Sequence, residues 1–217
     1  QLIERFEYGE AIGNAADART RNLRGQLREH YDQGGRRTVE FYDFKGNPRE
    51  VLRTLAAQHR ARVIGWHTGS TTAGLEAETF VQITEYDALS RMTRLYNWHK
   101  GTGSRVAVYE PRYNQRGLLE GEDLVVRATK TAASYTEGTG SRRTPAIQAI
   151  AYNAKGQRET IRSGNGTTTR YQYDPETFRL VQLRTTRPGF NPVFPNSRKL
   201  LKDERVLQNT FHTYDPV

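Results

Sequence analysis

A short phrase returns along this chain: tyrosine, then Asp or Asn, then a turn, then a basic or polar residue. It reads Tyr31-Asp32-Gln33-Gly34-Gly35-Arg36, then Tyr42-Asp43-Phe44-Lys45-Gly46-Asn47, then Tyr86-Asp87-Ala88-Leu89-Ser90-Arg91. It returns as Tyr113-Asn114-Gln115-Arg116-Gly117-Leu118 and Tyr152-Asn153-Ala154-Lys155-Gly156-Gln157, more loosely as Tyr173-Asp174-Pro175-Glu176-Thr177-Phe178, and last as Tyr214-Asp215-Pro216-Val217. Self-similarity of this kind constrains the fold strongly, because units that repeat in sequence stack on one another into an extended scaffold.

Four copies carry glycine four residues after the tyrosine: Gly35, Gly46, Gly117 and Gly156. Glycine at a fixed offset marks a backbone position that needs positive φ or close approach. Asp or Asn directly after the tyrosine can hydrogen-bond its own backbone and start a turn. Alternating stretches precede the phrase (Phe80-Val81-Gln82-Ile83-Thr84-Glu85) and follow it (Arg91-Met92-Thr93-Arg94-Leu95-Tyr96), the period of half-buried strands. Each phrase is therefore predicted to be a hairpin corner, with tyrosine as the last residue of the incoming strand. The cleanest interval, Tyr152 to Tyr173, is 21 residues. Intervals of 39, 41 and 44 residues are read as pairs of units with one phrase worn away, and those of 27 and 11 as irregularities. Arg158 to Tyr173 reads as two strands around Asn165-Gly166, a pair that favours a type I′ turn.

The fold expected from these features is all-β: stacked antiparallel β-hairpin repeats forming a strip. A short helix is predicted around Ala15 to Arg21. Residues 49–60 are ambiguous, since Leu52, Leu55, Ala56 and His59 would share a helical face, but the repeat context makes Val51 to Leu55 a return strand. Polar loop insertions are expected near 65–78, 136–145 and 187–198, the last rich in Pro and Gly. No linker divides residues 1–217, so they are read as one repeat segment. Gln1 is not an initiator and the chain stops inside a tyrosine phrase, so the segment is expected to be a fragment of a longer chain.

Composition fits a sheet with little interior. Apolar residues make up 35% of the chain, including 12 tyrosines, and the mean hydropathy is −0.83. A single-layer sheet wet on at least one face needs less apolar material than a two-layer domain. No apolar run approaches the length of a membrane span, and the absence of cysteine excludes disulfides and thiolate sites. A net charge of +9 could serve nucleic acid or an acidic partner. The basic residues are scattered, however, so a solvated surface is favoured and nucleic acid is not expected as a partner.

No catalytic or cofactor site stands out, so the chain is not expected to be an enzyme. Among His30, His59, His67, His99 and His212 no pair has metal-ligand spacing. His30 and His212 are read as strand residues. Gly-Thr-Gly-Ser-Arg occurs at 101–105 and 138–142 and could cradle a phosphate, but neither copy is a Walker loop, and a plain loop tip is favoured. Glu120 with Glu122 and Asp123, between Gly117 and Gly121, reads as a solvated turn. Asn165-Gly166-Thr167 matches a glycosylation acceptor, although the turn accounts for the same residues. Arginine interleaved with aromatics (Arg170-Tyr171-Gln172-Tyr173, Arg94-Leu95-Tyr96-Asn97-Trp98) could stack on bases, but more often packs one face of a strand.

These phrases resemble the tyrosine–aspartate repeats of the Rhs/YD-repeat superfamily, most of all the B, or fused B–C, component of bacterial insecticidal Tc toxin complexes. The resemblance is carried by Asn22-Leu23-Arg24-Gly25-Gln26-Leu27 with His30-Tyr31-Asp32, by Tyr42 to Asn47, and by Tyr152 to Arg158. Gly164-Asn165-Gly166 with Tyr171 to Leu180, and the terminal Tyr214-Asp215-Pro216-Val217, complete it. It implies a strip of a large hollow shell, secreted, that encapsulates a toxic C-terminal polypeptide until delivery through a channel-forming component. It also implies that the partners are the remainder of the shell and the enclosed polypeptide, with no cofactor. The aspartyl autoprotease core and the docking β-propeller of that family have no motif in these residues. The other reading is a non-catalytic cell-surface or secreted module that binds glycan or an acidic partner through a basic strand face.

Overall fold

The computed structural model describes residues 2–11, 14–66, 74–189 and 205–214. Among them the chain is almost wholly β. The strands are β1 (Arg5–Tyr8), β2 (Leu27–Asp32), β3 (Gly35–Tyr42), β4 (Pro48–Ala56), β5 (Leu75–Tyr86), β6 (Met92–His99) and β7 (Arg105–Tyr113). They continue as β8 (Leu119–Lys130), β9 (Tyr135–Thr136), β10 (Arg142–Tyr152), β11 (Arg158–Ser163), β12 (Thr168–Tyr173), β13 (Leu180–Thr186) and β14 (Val206–Phe211). Each strand pairs with its neighbours in sequence, and only the short β9 lies off the path, against β8. The ladders from β1 to β7, between β8 and β9, and from β10 to β14 are antiparallel. The one α-helix, α1 (Ala15–Thr20), is capped by Asn14, whose side chain accepts from the Ala16 N–H.

The chain divides into two compact units. The first holds residues 1–109 and 125–142, the second residues 110–124 and 143–217. In the first unit, loops folded over the sheet build three separate small cores. Leu23, just after α1, packs on Val39, Tyr42 and Val51. Ile64 and Trp66, after β4, cover Tyr31 and Ala56. Tyr135 packs against Tyr96, Val106, Val108, Val125 and Ala128. Val39 pairs with Val51, while Tyr31 pairs with Arg36 and Arg36 with Thr54. Side chains alternate faces along a strand, so the Leu23 and Trp66 loops cover opposite faces. In the second unit the β13 residues Gln182, Arg184 and Thr186 are buried although polar. This is how a chain with so few apolar residues folds: it buries small patches one at a time.

The tyrosine intervals have a different meaning from the one expected. One hairpin, and not a doubled unit, separates each corner from the next: β4–β5 between Tyr42 and Tyr86, β6–β7 between Tyr86 and Tyr113, β11–β12 between Tyr152 and Tyr173. The long intervals arise from longer strands and from loops at the far end of the hairpin. The 11-residue interval from Tyr31 to Tyr42 spans β3 alone, so these two tyrosines lie at opposite ends of one strand. Other expectations need correction too. Glu120, Glu122 and Asp123 lie within β8 and not in a turn. The insertion near 65–78 already belongs to β5 from Leu75, and that near 136–145 joins β10 at Arg142. His212 follows the last residue of β14. Residues 49–60 are strand through Ala56, as the repeat context required. His67, Asp215 and most of the 187–198 stretch lie outside the described residues.

Candidate functional site

The residues singled out by the repeat build one piece of local geometry several times over. Tyr42, Tyr86, Tyr113, Tyr152 and Tyr173 each end an incoming strand. At the first corner the Asp43 N–H donates to the Asn47 carbonyl at 2.9 Å and the Gly46 N–H to the Asp43 carbonyl at 3.0 Å. The same pair recurs at Asp87/Arg91 with Ser90, at Asn114/Leu118 with Gly117, and at Asn153/Gln157 with Gly156. The fourth residue after tyrosine takes positive φ in every case: +82° at Gly46, +76° at Gly117, +80° at Gly156 and +60° at Ser90. This is a type I turn closed by a left-handed residue, the three-residue hairpin connection with a bulge. The register slips by one at Tyr42, Tyr86 and Tyr152, as that bulge requires.

The Asp or Asn after the tyrosine holds the corner. Asp43 Oδ1 accepts from the N–H of Lys45 at 2.8 Å and of Asn47 at 2.9 Å. Asp87 does the same with Leu89 and Arg91, Asn114 with Arg116 and Leu118, and Asn153 with Lys155 and Gln157. One side-chain oxygen therefore organises residues two and four positions on. That is why Asp and Asn are interchangeable here: the bond uses only Oδ1. Where the residue is Asp, these bonds favour the ionised carboxyl. Bonds from the Arg91 backbone and guanidinium hold Asp87 below the ordinary carboxylate range. At Asp43 burial pushes upward, but the Asn47 and Lys45 bonds outweigh it and the net shift is downward. Asp174 is lowered by bonds from Thr177, and its turn is one residue longer, with Phe178 at φ +58° in the left-handed position.

The tyrosine hydroxyl has a job of its own, closing the open end of five of the hairpins. Tyr42 Oη donates to the carbonyl of Leu27 at 2.5 Å, and Tyr152 to that of Leu119 at 2.7 Å. Tyr173 donates to Arg158 at 2.8 Å, Tyr214 to Leu180 at 3.0 Å, and Tyr86 more distantly to Pro48 at 3.4 Å. Every acceptor is the first residue of the strand alongside. Tyr214 acts in this way although it follows β14 and does not end it.

Successive corners also grip one another. Lys45 Nζ donates to the Ala88 carbonyl, and Asn47 Nδ2 to Ser90 Oγ at 3.1 Å. In the second unit the Arg116 guanidinium reaches the carbonyls of Asn153 and Ala154 at 3.2 and 3.1 Å. There Lys155 lies over the Phe178 ring, and Gln157 Nε2 donates to the Phe178 carbonyl at 2.8 Å. The basic residue of the phrase, three positions after tyrosine, is thus the link to the next corner, and the residue five positions after is a second link. Neither role could be read from the sequence, because the receiving carbonyls carry no side-chain signature.

Two expected members of the set differ. Tyr31 precedes Asp32 inside β2, and the hairpin turns at Gln33-Gly34. Its hydroxyl donates to Glu29 Oε2 at 2.7 Å, and burial and that carboxylate both raise its pKa. Asp32 forms a two-pronged pair with Arg53 at 2.6 and 2.9 Å. Gly35 meets two demands at once: its φ is +129°, and a Cβ there would sit 2.2 Å from the Thr54 carbonyl oxygen. Asn165-Gly166 does turn a hairpin, but not through a type I′ turn. Gly166 N–H donates to the Ser163 carbonyl, Gly166 alone of the pair takes positive φ (+84°), and Asn165 Oδ1 accepts from the Thr167 N–H at 3.0 Å. It is the same bulged corner, without a tyrosine, at the other end of its strands.

Among the described residues no group of three His, Asp or Glu could hold a metal ion. Both Gly-Thr-Gly-Ser-Arg loops close on themselves, Ser104 Oγ and Ser141 Oγ donating to the carbonyls of Gly101 and Gly138. His30 pairs with Glu4 at 2.6 Å and stacks on Phe6. Much of the arginine is engaged by carboxylates, as in Arg21–Glu40, Arg94–Glu85, Arg112–Asp123 and Arg143–Glu110. No helix among the described residues is long and apolar enough to cross a membrane.

Comparison with known proteins places this geometry. No family model matches the sequence. The chain is 27% identical over 222 residues to toxin subunit YenC2 of Yersinia entomophaga, and 27% identical over 220 residues to toxin subunit YenC1 of the same organism. All of this chain is matched in both, but it spans only 20% and 19% of their lengths. Among solved structures, the TcdB2–TccC3 crystal structure matches 99% of the chain and 9% of its own, at 23% identity with a TM-score of 0.66. The Photorhabdus luminescens Tc holotoxin pore matches 99% of the chain and 8% of its own, at 24% identity with a TM-score of 0.67. The expected resemblance to Tc toxin subunits is borne out in sequence, and the fold is one that solved Tc complexes contain.

Proposed function

We propose that this chain, a homologue of Tc toxin subunits, is one stretch of wall in a hollow YD-repeat shell, and that the shell encapsulates a toxic C-terminal polypeptide before its delivery. The observation that carries this reading is the row of corners: one hairpin follows another, five of them closed by a tyrosine hydroxyl, and Lys45, Arg116 and Lys155 each reach from one corner to the next. Such a row grows by adding one hairpin to the last, which suits the wall of a container. On this reading residues 1–217 are a single repeat segment of a longer polypeptide. Its partners are the remainder of the shell, the enclosed polypeptide and, through the parent, a channel-forming component; the parent is secreted. The corner residues from Tyr42-Asp43 to Tyr214 are its structural motif and have no catalytic role.

The test is limited proteolysis of the natural polypeptide that carries these residues. The account expects its C-terminal portion to resist protease while the wall is intact, and to be cut in a variant with Tyr42, Tyr152 and Tyr173 all changed to Phe. A C-terminal portion cut equally fast in both would overturn encapsulation.

A further inference from the structure

One buried ring takes no part in the corners. His99 ends β6 and is 3% exposed. Its Nδ1 lies 2.8 Å from the Asn97 carbonyl, which can only accept, so the neutral ring carries its proton on Nδ1. Nε2 is then the bare nitrogen that acid protonates, and it is buried without a hydrogen-bond partner among the described residues. His30 shows the contrast, with Glu4 beside it at 2.6 Å. The charge that reaches His99 is a cation instead, Lys130. Lys130 is the last residue of β8 and is 5% exposed; its Nζ lies 4.9 Å from the centre of the Tyr96 ring and donates to the Thr131 carbonyl. Burial pushes the His99 imidazole below its ordinary value and the Lys130 charge pushes the same way, which the Asn97 and Val81 main chain offsets only in part. The neighbouring strands bring no carboxylate to the ring. On β5, Val81 is opposite His99, Glu78 pairs with Lys100, and Glu85 pairs with Arg94 of β6. Glu76 of β5 and Arg105 of β7 are exposed. Glu50 of β4 feels the Lys130 charge, but burial holds its carboxyl above the usual range.

These two side chains stand where β8 is tied to the loop after β6. The Lys130 N–H donates to the Ser104 carbonyl at 2.9 Å, and the Gly103 N–H to the Lys130 carbonyl at 2.7 Å. Ser104 Oγ accepts at 3.2 Å from the N–H of Lys100, the residue after His99. We infer that His99 and Lys130 form an acid-sensitive latch: a solvent proton taken up on His99 Nε2 places a second cation in the buried site, and the clasp between residues 100–104 and the end of β8 opens. The sign follows from where the proton binds more tightly. His99 in the closed clasp has a value below the ordinary 6.5, so the open form takes the proton first. The clasp is fully stable above about pH 6.5 and loses stability as pH falls from there toward the folded value. Glu50 acts with the opposite sign, since its raised value favours the folded form as pH falls through the carboxyl range. A change at His99 alone separates the two, because it leaves Glu50 in place. The latch belongs to this hairpin and holds whatever the wall encloses.

The test is amide hydrogen exchange of the natural polypeptide at about pH 7.5 and pH 5.5, read in peptides that hold Gly103 and Lys130 and corrected for the intrinsic pH dependence of exchange. The expected result is protection several-fold lower at the acid pH, with a ceiling of about tenfold, since one proton acts over the one pH unit below 6.5. Peptides from β11 and β12, which hold no histidine, should keep their protection. In His99→Gln the two pH values should give the same protection at the clasp. Lys130→Met, which keeps the apolar stem and removes the neighbouring charge, should shrink the fall. Equal protection at both pH values in the natural protein overturns the latch, and so does a fall that persists in His99→Gln. If His99→Gln leaves the clasp open at both pH values, Lys130→Met decides: a fall undiminished there overturns the pairing of the two cations.

Discussion

At the scale of single residues, the corner works through one oxygen. Asp43→Asn keeps Oδ1 as an acceptor, and Asn114 and Asn153 already do the same work elsewhere. That substitution should therefore leave the unfolding midpoint in urea nearly unchanged, whereas Asp43→Ala, which loses two backbone bonds, should cost about 1 kcal/mol. A midpoint lowered equally by both would show that charge, and not the acceptor, holds the corner. The Asp corners also carry a pH signature. Asp43, Asp87 and Asp174 have folded pKa values below the unfolded carboxyl value of about 4. Their contribution is thus complete above about pH 4 and lost as pH falls through the lower folded values. Replacing all three with Asn should flatten the fall in thermal midpoint as the pH drops below about 4. An acid limb of unchanged steepness would contradict this. The Tyr-Asp pairing was legible in the sequence because Asn and Asp have local turn chemistry. The tyrosine's acceptor was not, because it is a backbone carbonyl whose identity depends on which strand lies alongside.

At the scale of the hairpin, glycines separate two physical demands that look alike in sequence. Gly46 needs positive φ, and a Cβ there would meet only the Gln26 side chain, at 3.5 Å. Gly46→Ala should cost about 1 kcal/mol, the left-handed penalty alone. Gly35 has φ +129° and must also leave room for the β4 backbone, so Gly35→Ala should cost about 3 kcal/mol or more, through backbone strain and strand displacement together. Equal midpoints for the two in denaturant titration would mean that Gly35 is not the contact point of β3 and β4. Ser90 holds the same left-handed position at φ +60° while its Oγ accepts from Asn47, so Ser90→Gly should stabilise by about 0.5 kcal/mol in an Asn47→Ala background, where that bond is already absent. Sequence reading placed Gly35 with Gly46, because an offset from tyrosine carries no information on which neighbour approaches. It assigned a type I′ turn to Asn165-Gly166 because the dipeptide favours one. The hairpin instead uses the left-handed residue one place later relative to the turn, and Gly serves both arrangements. The intervals misled for a related reason: the count between corners includes loops of any length, so 21 and 44 residues both mean one hairpin.

At the scale of the whole chain, β1 and β14 each pair on one side only among the described residues, and open strand edges associate. Sedimentation of the isolated chain should therefore show species heavier than the monomer as concentration rises, and a single monomeric boundary at all concentrations would contradict that. The central claim is that the repeating unit is one hairpin, measured from corner to corner, and it predicts what can be removed. Deleting residues 153–173 joins Tyr152 to Asp174 and restores a tyrosine corner with one hairpin fewer. The direct measurement is the circular-dichroism thermal melt of that deletion beside one lacking only residues 164–173, which removes a single strand. The account predicts a cooperative β-sheet transition for the first and none for the second. Loss of folding in the first, or equal tolerance of both, would contradict it.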